Sequence, residues 1–184
     1  MTKENIQFKQ KVKELHKLAV ARLDIIEAQA ACQYIIDNIS DLGDPLYYPH
    51  SVTLVICYAR PFTRNNVYGA LGNKWSEFPN EPVAGMHKQL IDARNTFVAH
   101  SDGSVRGLQI IPKGYSVPGT KYKIDGYSCQ VKKFYIALEN FPLAKANCQY
   151  LVSRMNDEIK ELLNYVGPQL DLSNGPLEID VTHL

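Results

Sequence analysis

Residues 81–102 read EPVAGMHKQLIDARNTFVAHSD, and the rest of the chain is organised around them. Apolar residues recur here at spacings of three and four, which places them on one face of an α-helix. The members of this series are Val83, Met86, Leu90, Ala93 and Phe97. His100 takes the next place in the series, and Arg94 borders it. Since both side chains are costly beside a buried face unless they are paired, the stretch predicts a helix that ends in a functional site.

Arg94 and Asn95, followed after four residues by His100, resemble the Arg-Asn-x4-His motif of the HEPN superfamily. Residues 90–102 look like the abortive-infection type of that superfamily. The resemblance covers the expected helical frame, about residues 3–166 without an insert, and not the C-terminal tail. It implies a mainly α, up-down helical bundle that forms homodimers, with Arg94, Asn95 and His100 as catalytic residues.

The function that the resemblance implies is a metal-independent endoribonuclease of a toxin–antitoxin or phage-defence type. We expect RNA as substrate, no metal or cofactor, and an antitoxin or another protein as partner. The residue types suit this chemistry, because the ordinary pKa of histidine lets it accept and donate protons near neutral pH. An arginine can donate two hydrogen bonds to the phosphate oxygens that gain charge during cleavage. The expected products are a 2′,3′-cyclic phosphate and a 5′-hydroxyl.

Three interpretations of the motif remain open: a site shared between two chains, a bent helix, and a structural role without catalysis. Residues six apart on a regular helix point about 120° away from each other, so Arg94 and His100 of one helix do not converge. A composite cleft at a homodimer interface, or a bend before His100, removes this difficulty. In the non-catalytic alternative, Arg94 is a structural arginine paired with a carboxylate, and His100 bonds a carbonyl near the helix end. The chain is then a HEPN-like module that binds proteins or nucleotides.

Three further helices are expected around the central one. Residues 2–40 and the stretch from Pro142 to Gly167 show the same three-and-four spacing, and we expect these two long helices to lie side by side and antiparallel. A shorter apolar segment from about His50 to Arg60 reads as a buried helix. Its β-branched residues are equally typical of a strand, but its helical neighbours favour a helix.

Two connections carry most of the candidate substrate-binding residues. Residues 60–80 form a long loop in which Arg60 and Arg64 are candidates for phosphate contacts. Trp75 is expected to pin this loop to the bundle.

An insert at about residues 103–128 alternates apolar and polar residues and predicts a β-hairpin or a long structured loop, with a type II turn at 117–120. Residues 101–135 contain four more basic than acidic residues, interleaved with tyrosines. Lys121 and Lys123 are therefore candidates for RNA contacts, although a solvated hairpin accounts for the pattern as well. Residues 129–140 suggest a short helix, and the tail at 167–184 has no assigned role.

The length of 184 residues and a hydrophobic content of 45% predict one globular domain. The net charge of +1 means that RNA binding would depend on a local basic patch. The N-terminus lacks the apolar core of a signal peptide, and no apolar run is long enough to span a bilayer, so we expect a cytoplasmic protein without membrane contact. The four cysteines show no metal-ligand spacing, and sequence motifs of ATPases, serine hydrolases and dinucleotide enzymes are absent.

Overall fold

The computed structural model describes residues 3–63, 69–98, 108–116, 123–131, 135–170, 173 and 175–179. Within these residues the chain forms four α-helices and one two-stranded antiparallel sheet. The helices are α1 (Lys3–Asn38), α2 (Tyr47–Ala59), α3 (Glu81–Ala93) and α4 (Phe141–Val166), and the strands are β1 (Leu108–Ile111) and β2 (Ser128–Val131). The predicted mainly α bundle with a small β insert is confirmed. None of the described helices is long and apolar enough to cross a membrane.

The two long helices pack against each other over most of their length. Their contacts run in opposite chain directions: Arg22 bonds Asn156, and Cys32 lies against Cys148. The predicted antiparallel pairing is therefore confirmed. The apolar series of α4 is largely buried, and Phe141 and Pro142 begin this helix as expected.

From residue 18 onward, the face that α1 buries is not the apolar series of three-and-four spacing that predicted this helix, whose members here are Ala19, Leu23, Ile26 and Ala30. Between residues 18 and 38 the buried positions are Leu18, Ala21, Asp24, Ile25, Ala28, Ala31, Cys32 and Ile35. Leu23 belongs to the indicating series, yet 58% of its surface is exposed. Because α1 carries apolar residues on two faces, its periodicity identified the helix without selecting the packed face.

The segment read as either helix or strand is the helix α2. It buries Tyr47, Leu54, Val55 and Tyr58 in the core but exposes Pro49, Thr53 and Ile56 along one side, so it is not buried all round as expected. It packs against both α1 and α3. A single turn of 3₁₀-helix, Arg60–Phe62, follows it, because Pro61 cannot continue the hydrogen-bonding pattern of an α-helix. Trp75 is 3% exposed within the same core, which agrees with its expected role of holding the 60–80 connection.

The hairpin extends further along the chain than predicted. Leu108 pairs with Val131 and Ile111 with Ser128, and the isolated bridge between Ser116 and Lys123 keeps the same register. The short helix expected at residues 129–140 is wrong: its first residues form β2, and among residues 135–140 a single 3₁₀ turn is formed, Leu138–Asn140. Pairing with β1 outweighed the helical spacing of a few apolar residues. The type II turn expected at 117–120 falls outside the described residues.

One buried tyrosine ties the chain after the hairpin to the bundle. The Tyr47 hydroxyl donates a hydrogen bond to the Ile136 carbonyl and accepts one from the Ile136 amide at 2.9 Å. Tyr47 is fully buried, and the edge of its ring lies against Phe141. Burial raises the pKa of this phenol, so it stays protonated and able to donate. This single side chain fixes where the polypeptide re-enters the core before α4.

Candidate functional site

The Arg94-Asn95 pair lies where α3 changes its hydrogen-bonding pattern. Asn80 caps the start of α3 by accepting a hydrogen bond from the Val83 amide at 3.1 Å. The helix then buries Met86, Leu90 and Ala93, as the central series predicted. After Ala93 the chain continues as one π-helical turn, Arg94–Val98. Such turns inside or after an α-helix occur frequently at functional sites.

The side chains of this pair are bonded to each other. Arg94 is half-buried and Asn95 is exposed. Arg94 Nη1 donates a hydrogen bond to Asn95 Oδ1 at 3.1 Å. The ion pairs between described residues do not include Arg94. Within that part of the chain, the alternative of a structural arginine held by a carboxylate is not observed. The other N–H groups of Arg94 make no hydrogen bond to another described residue, and each can donate one to an anion at the surface.

His100, the third residue of the motif, lies outside the described residues. Side chains six residues apart diverge by about 120° only in an unbroken α-helix. That condition does not hold across Arg94–Val98, since a π turn closes its hydrogen bonds from i to i+5. The relation between Arg94 and His100 therefore stays a prediction.

Arg60 occupies a different part of the bundle from Arg94. Its Nη1 makes a close ion pair with Asp24 of α1, which is 6% exposed. Loss of hydration raises the pKa of Asp24, and Arg60 partly opposes this effect. Arg60 thus compensates a buried carboxylate while about half of its own side chain stays exposed.

The distance between the two arginines follows from the helix directions. Tyr58, near the end of α2, contacts His87 at the middle of α3, and the π turn that follows α3 also contacts α2, so the two helices run antiparallel. The π turn after α3 is therefore near the start of α2, whereas Arg60 follows its end. Since the 13 residues of α2 span about 20 Å, Arg60 and Arg94 are not brought together within one chain.

A surface pocket lies beside Arg60. Its cavity volume is about 70 Å³, and Lys17, Asp24, Pro61 and Leu71 are among its lining residues. The Lys17 ammonium donates a hydrogen bond to the Ala70 carbonyl at 2.6 Å. The two cations of this pocket thus already hold protein acceptors, and Asp24 adds an opposing charge.

The remaining candidates for RNA contacts lie on the loop and the hairpin. Lys123 is exposed and pairs through its backbone with Ser116. Arg64 and Lys121 fall outside the described residues. Near Lys123 two tyrosines show exposed rings, Tyr115 at 41% and Tyr127 at 84%. The described part of the hairpin therefore presents two cations, Lys113 and Lys123, and two aromatic rings to solvent.

Sequence reasoning missed a polar cluster inside the bundle. His87 Nδ1 lies 3.0 Å from the Tyr58 hydroxyl, and Asn147 of α4 donates hydrogen bonds to the Tyr58 hydroxyl (3.3 Å) and to the Val83 carbonyl (2.9 Å). Burial lowers the pKa of His87, which favours the neutral imidazole at pH 7. The sequence did contain a signal, since His87 lies three residues before Leu90 on the packed side of α3. Its partners, however, are distant in the chain.

The role of this cluster follows from its surroundings. The rings of Phe62 and Phe78 lie 4.7 Å and 4.8 Å from the His87 ring. With α2, α3 and α4 each contributing a polar group, the network joins three helices and positions α3, which Arg94 directly follows. In the described part of the chain, no three side chains of His, Cys, Asp or Glu are grouped in a way that could hold a metal ion.

Comparisons with protein-family models, with curated proteins and with solved structures found no match for this chain.

Proposed function

We propose that this protein is a metal-independent endoribonuclease of a toxin–antitoxin or phage-defence type, with Arg94, Asn95 and His100 of two chains forming one cleft. The observation that supports it best is the state of Arg94. Its guanidinium group is half-buried at the end of α3 and bonded to Asn95, and no described carboxylate neutralises it. A cation held in this way is suited to an anionic ligand, and the adjacent π turn is a feature common at functional sites.

The chemistry needs only the groups of this motif. His100 would accept the proton of a ribose 2′-hydroxyl while the oxygen attacks the adjacent phosphorus. The bond between phosphorus and the 5′-oxygen then breaks, and a protonated histidine returns a proton to that oxygen. Arg94 would stabilise the negative charge that collects on the phosphate oxygens, and Asn95 would orient Arg94. The products are a 2′,3′-cyclic phosphate and a 5′-hydroxyl.

The candidate RNA contacts are best tested separately from the catalytic motif. Lys123 is exposed, and Arg60 has an exposed portion beyond its ion pair with Asp24. In this proposal Arg60, Arg64, Lys121 and Lys123 bind RNA phosphates. Because each phosphate contact releases a counterion, the affinity for RNA should fall steeply with salt and the slope should decrease when one such residue is removed.

The decisive experiment is RNA cleavage by the purified protein in EDTA, beside the Arg94→Ala and His100→Ala variants. Arg22→Ala is a matched control, because Arg22 is also half-buried and bonded to an asparagine, Asn156. We expect the wild type and Arg22→Ala to cut RNA and to leave 2′,3′-cyclic ends. The two motif variants should remain folded and lose at least about 100-fold in rate. Equal cleavage by all four proteins would refute the proposal.

A second candidate function is a non-catalytic HEPN-like module that binds another protein. The observation that favours it is the exposed apolar surface of the hairpin, where Leu108 is 66% and Ile110 is 63% exposed. These residues lie two apart in β1 and so face the same side of the sheet. If no RNA is cleaved and Leu108→Lys abolishes the capture of a partner while Lys123→Ala does not, this second function replaces the first.

A further inference from the structure

One side of the hairpin is open to solvent and carries an aromatic ring. Ile110 pairs with Cys129, so these two side chains lie on the same side of the sheet. Leu108 and Tyr127 share that side, because each is two residues away along its own strand. Leu108 is 66%, Ile110 is 63% and Tyr127 is 84% exposed. We call this side the outer face. The opposite side holds Ile111, which is 8% exposed, so it is the side that the described residues cover.

Tyr127 is the aromatic residue of the outer face. Because 84% of its surface is exposed, it gains little from folding, and its ring is not part of the core. An accessible ring of this kind is a platform on which a nucleobase can stack. Such stacking needs an unpaired base, since the bases of a duplex already stack on one another. The ring therefore suits single-stranded rather than double-stranded RNA.

The hairpin is basic although the whole chain is nearly neutral. Residues 101–135 hold six of the 20 basic residues and two of the 19 acidic residues, so the rest of the chain is net acidic. Lys113 and Lys123 are exposed, and neither belongs to an ion pair between described residues. Asp125 is the single acidic residue of 108–131. This excess of cations beside an open aromatic ring favours a polyanion such as RNA over a protein as the ligand.

Both lysines lie close to Tyr127 along the hairpin. Tyr127 directly precedes β2, and Lys113 is two residues after the end of β1, so the pairing of the strands brings them to the same part of the hairpin. Lys123 is four residues from Tyr127, at most about 13 Å along the strand. The Gly114 amide donates a hydrogen bond to the Ile124 carbonyl at 2.7 Å and holds the two strands together between the lysines. An RNA strand that passes Tyr127 thus has a cation within reach on each strand of the hairpin.

The hairpin is attached at the end of the bundle where Arg94 lies. The chain that follows β2 re-enters the core at Ile136, whose carbonyl and amide bond the hydroxyl of Tyr47, the first residue of α2. Val131, the last residue of β2, is five residues before Ile136 and so at most about 18 Å from it. The π turn that contains Arg94 also lies near the start of α2, whereas Arg60 follows its end. Within one chain, the hairpin and not Arg60 is the candidate RNA contact that joins the bundle at the Arg94 end.

We infer that the outer face of the hairpin binds single-stranded RNA, with an unpaired base stacked on Tyr127 and phosphates held by Lys113 and Lys123. The exposed side chains of Leu108 and Ile110 then contact the apolar face of a neighbouring base. This inference rests on the proposed function in taking RNA as the ligand. It adds the selection of unpaired RNA and assigns that selection to the hairpin rather than to the catalytic motif.

The first test measures the affinity of the full chain for a fluorescent 2′-O-methyl RNA, alone and paired with its complement. The methyl group blocks the attacking oxygen, so the probe is bound without being cut. We expect the wild type to prefer the single strand and Tyr127→Ala to bind it at least about fivefold more weakly, while Tyr127→Phe, which keeps the ring, binds like the wild type. Tyr165→Ala is the matched control, since Tyr165 lies near the end of α4 and is 38% exposed. Unchanged single-strand affinity in Tyr127→Ala, or a preference of the wild type for the duplex, would overturn the inference.

The second test repeats the single-strand measurement over a salt series. Lys113→Ala and Lys123→Ala should each reduce the slope of log affinity against log salt by about 0.7, because each removes one phosphate contact. Lys160→Ala is the control, an exposed lysine of α4 that belongs to no ion pair between described residues. Slopes equal to that of the wild type in both hairpin variants contradict the inference.

Cleavage of unmodified RNA distinguishes this inference from the proposed function. A wild type that binds single strands through Tyr127 without cutting them supports the inference and refutes the proposed function. A wild type that cuts RNA, with Tyr127→Ala binding and cutting single strands equally well, overturns the inference alone. A wild type that binds neither form of RNA also overturns it, and the outer face is then left to the protein-binding function.

Discussion

Replacing Tyr47 with phenylalanine removes a single oxygen atom from the core, and that atom serves two buried backbone groups. The Ile136 carbonyl loses its donor, and the Ile136 amide loses its acceptor. Ile136 is 8% exposed, so water does not easily replace either bond. An unsatisfied buried polar group costs about 1–3 kcal/mol. With partial relaxation of the chain, we expect Tyr47→Phe to lower the free energy of unfolding by about 2–4 kcal/mol.

Urea unfolding followed by circular dichroism measures this loss. With a slope of about 2 kcal/mol/M for a chain of this size, the midpoint should fall by about 1–2 M while the slope stays unchanged. Tyr127→Phe is the control, because it makes the same chemical change at a residue that is 84% exposed. It should alter the stability by less than about 0.5 kcal/mol. If Tyr47→Phe costs less than about 1 kcal/mol, the hydroxyl does not hold the chain at Ile136 in the way described.

Three further predictions concern the polar groups of the bundle. Burial lowers the pKa of His87 below the usual 6.5, so the unfolded chain binds a proton more readily than the folded chain does. The free energy of unfolding should therefore fall as the pH drops from about 7 through 6.5 toward the folded pKa. Urea midpoints at pH 7.5 and 5.5 should differ less in His87→Gln than in the wild type. Arg60→Ala leaves the carboxylate of Asp24 buried without its cation and should cost about 1–3 kcal/mol at pH 7, whereas the double variant with Asp24→Asn should recover much of this loss. Asn80→Ala removes the N-cap of α3 and should lower the free energy of unfolding by about 1 kcal/mol, while Asn80→Ser should retain most of it.

The parts of the fold that could be predicted from the sequence are helices with a single apolar face, because such a helix can be buried in only one way. Helix α4 has a single apolar face between Pro142 and Gly167, so both its bounds and its buried residues followed. For α1 the same reasoning found the helix but not its packed face, because Leu23 and Ile25 both belong to plausible stripes. Which stripe is buried depends on α2 and α4, and local spacing does not contain that information.

The errors and omissions have the same cause. The short helix expected at residues 129–140 was contradicted by pairing between Ser128 and Ile111, a contact with a distant segment. The cluster of His87, Tyr58 and Asn147 joins three helices and cannot be found from any one of them. The Arg94-Asn95 contact was within reach of sequence reasoning because the two residues are adjacent. The link to His100 stays a prediction.

The packing of α1 against α4 has a consequence for how the protein folds as it is made. Residue 38 ends α1, and α4 begins only at residue 141, so about 100 residues separate the two main halves of the core. At a synthesis rate of about 5–20 residues per second, α1 waits on the order of 5–20 s for its principal partner. Throughout this interval the side of α1 that will pack against α4 stays uncovered by that helix, in addition to the apolar side that is exposed in the folded protein. We therefore expect nascent chains that stop before residue 141 to bind chaperones or aggregate, and chains that extend past residue 166 to become resistant to protease.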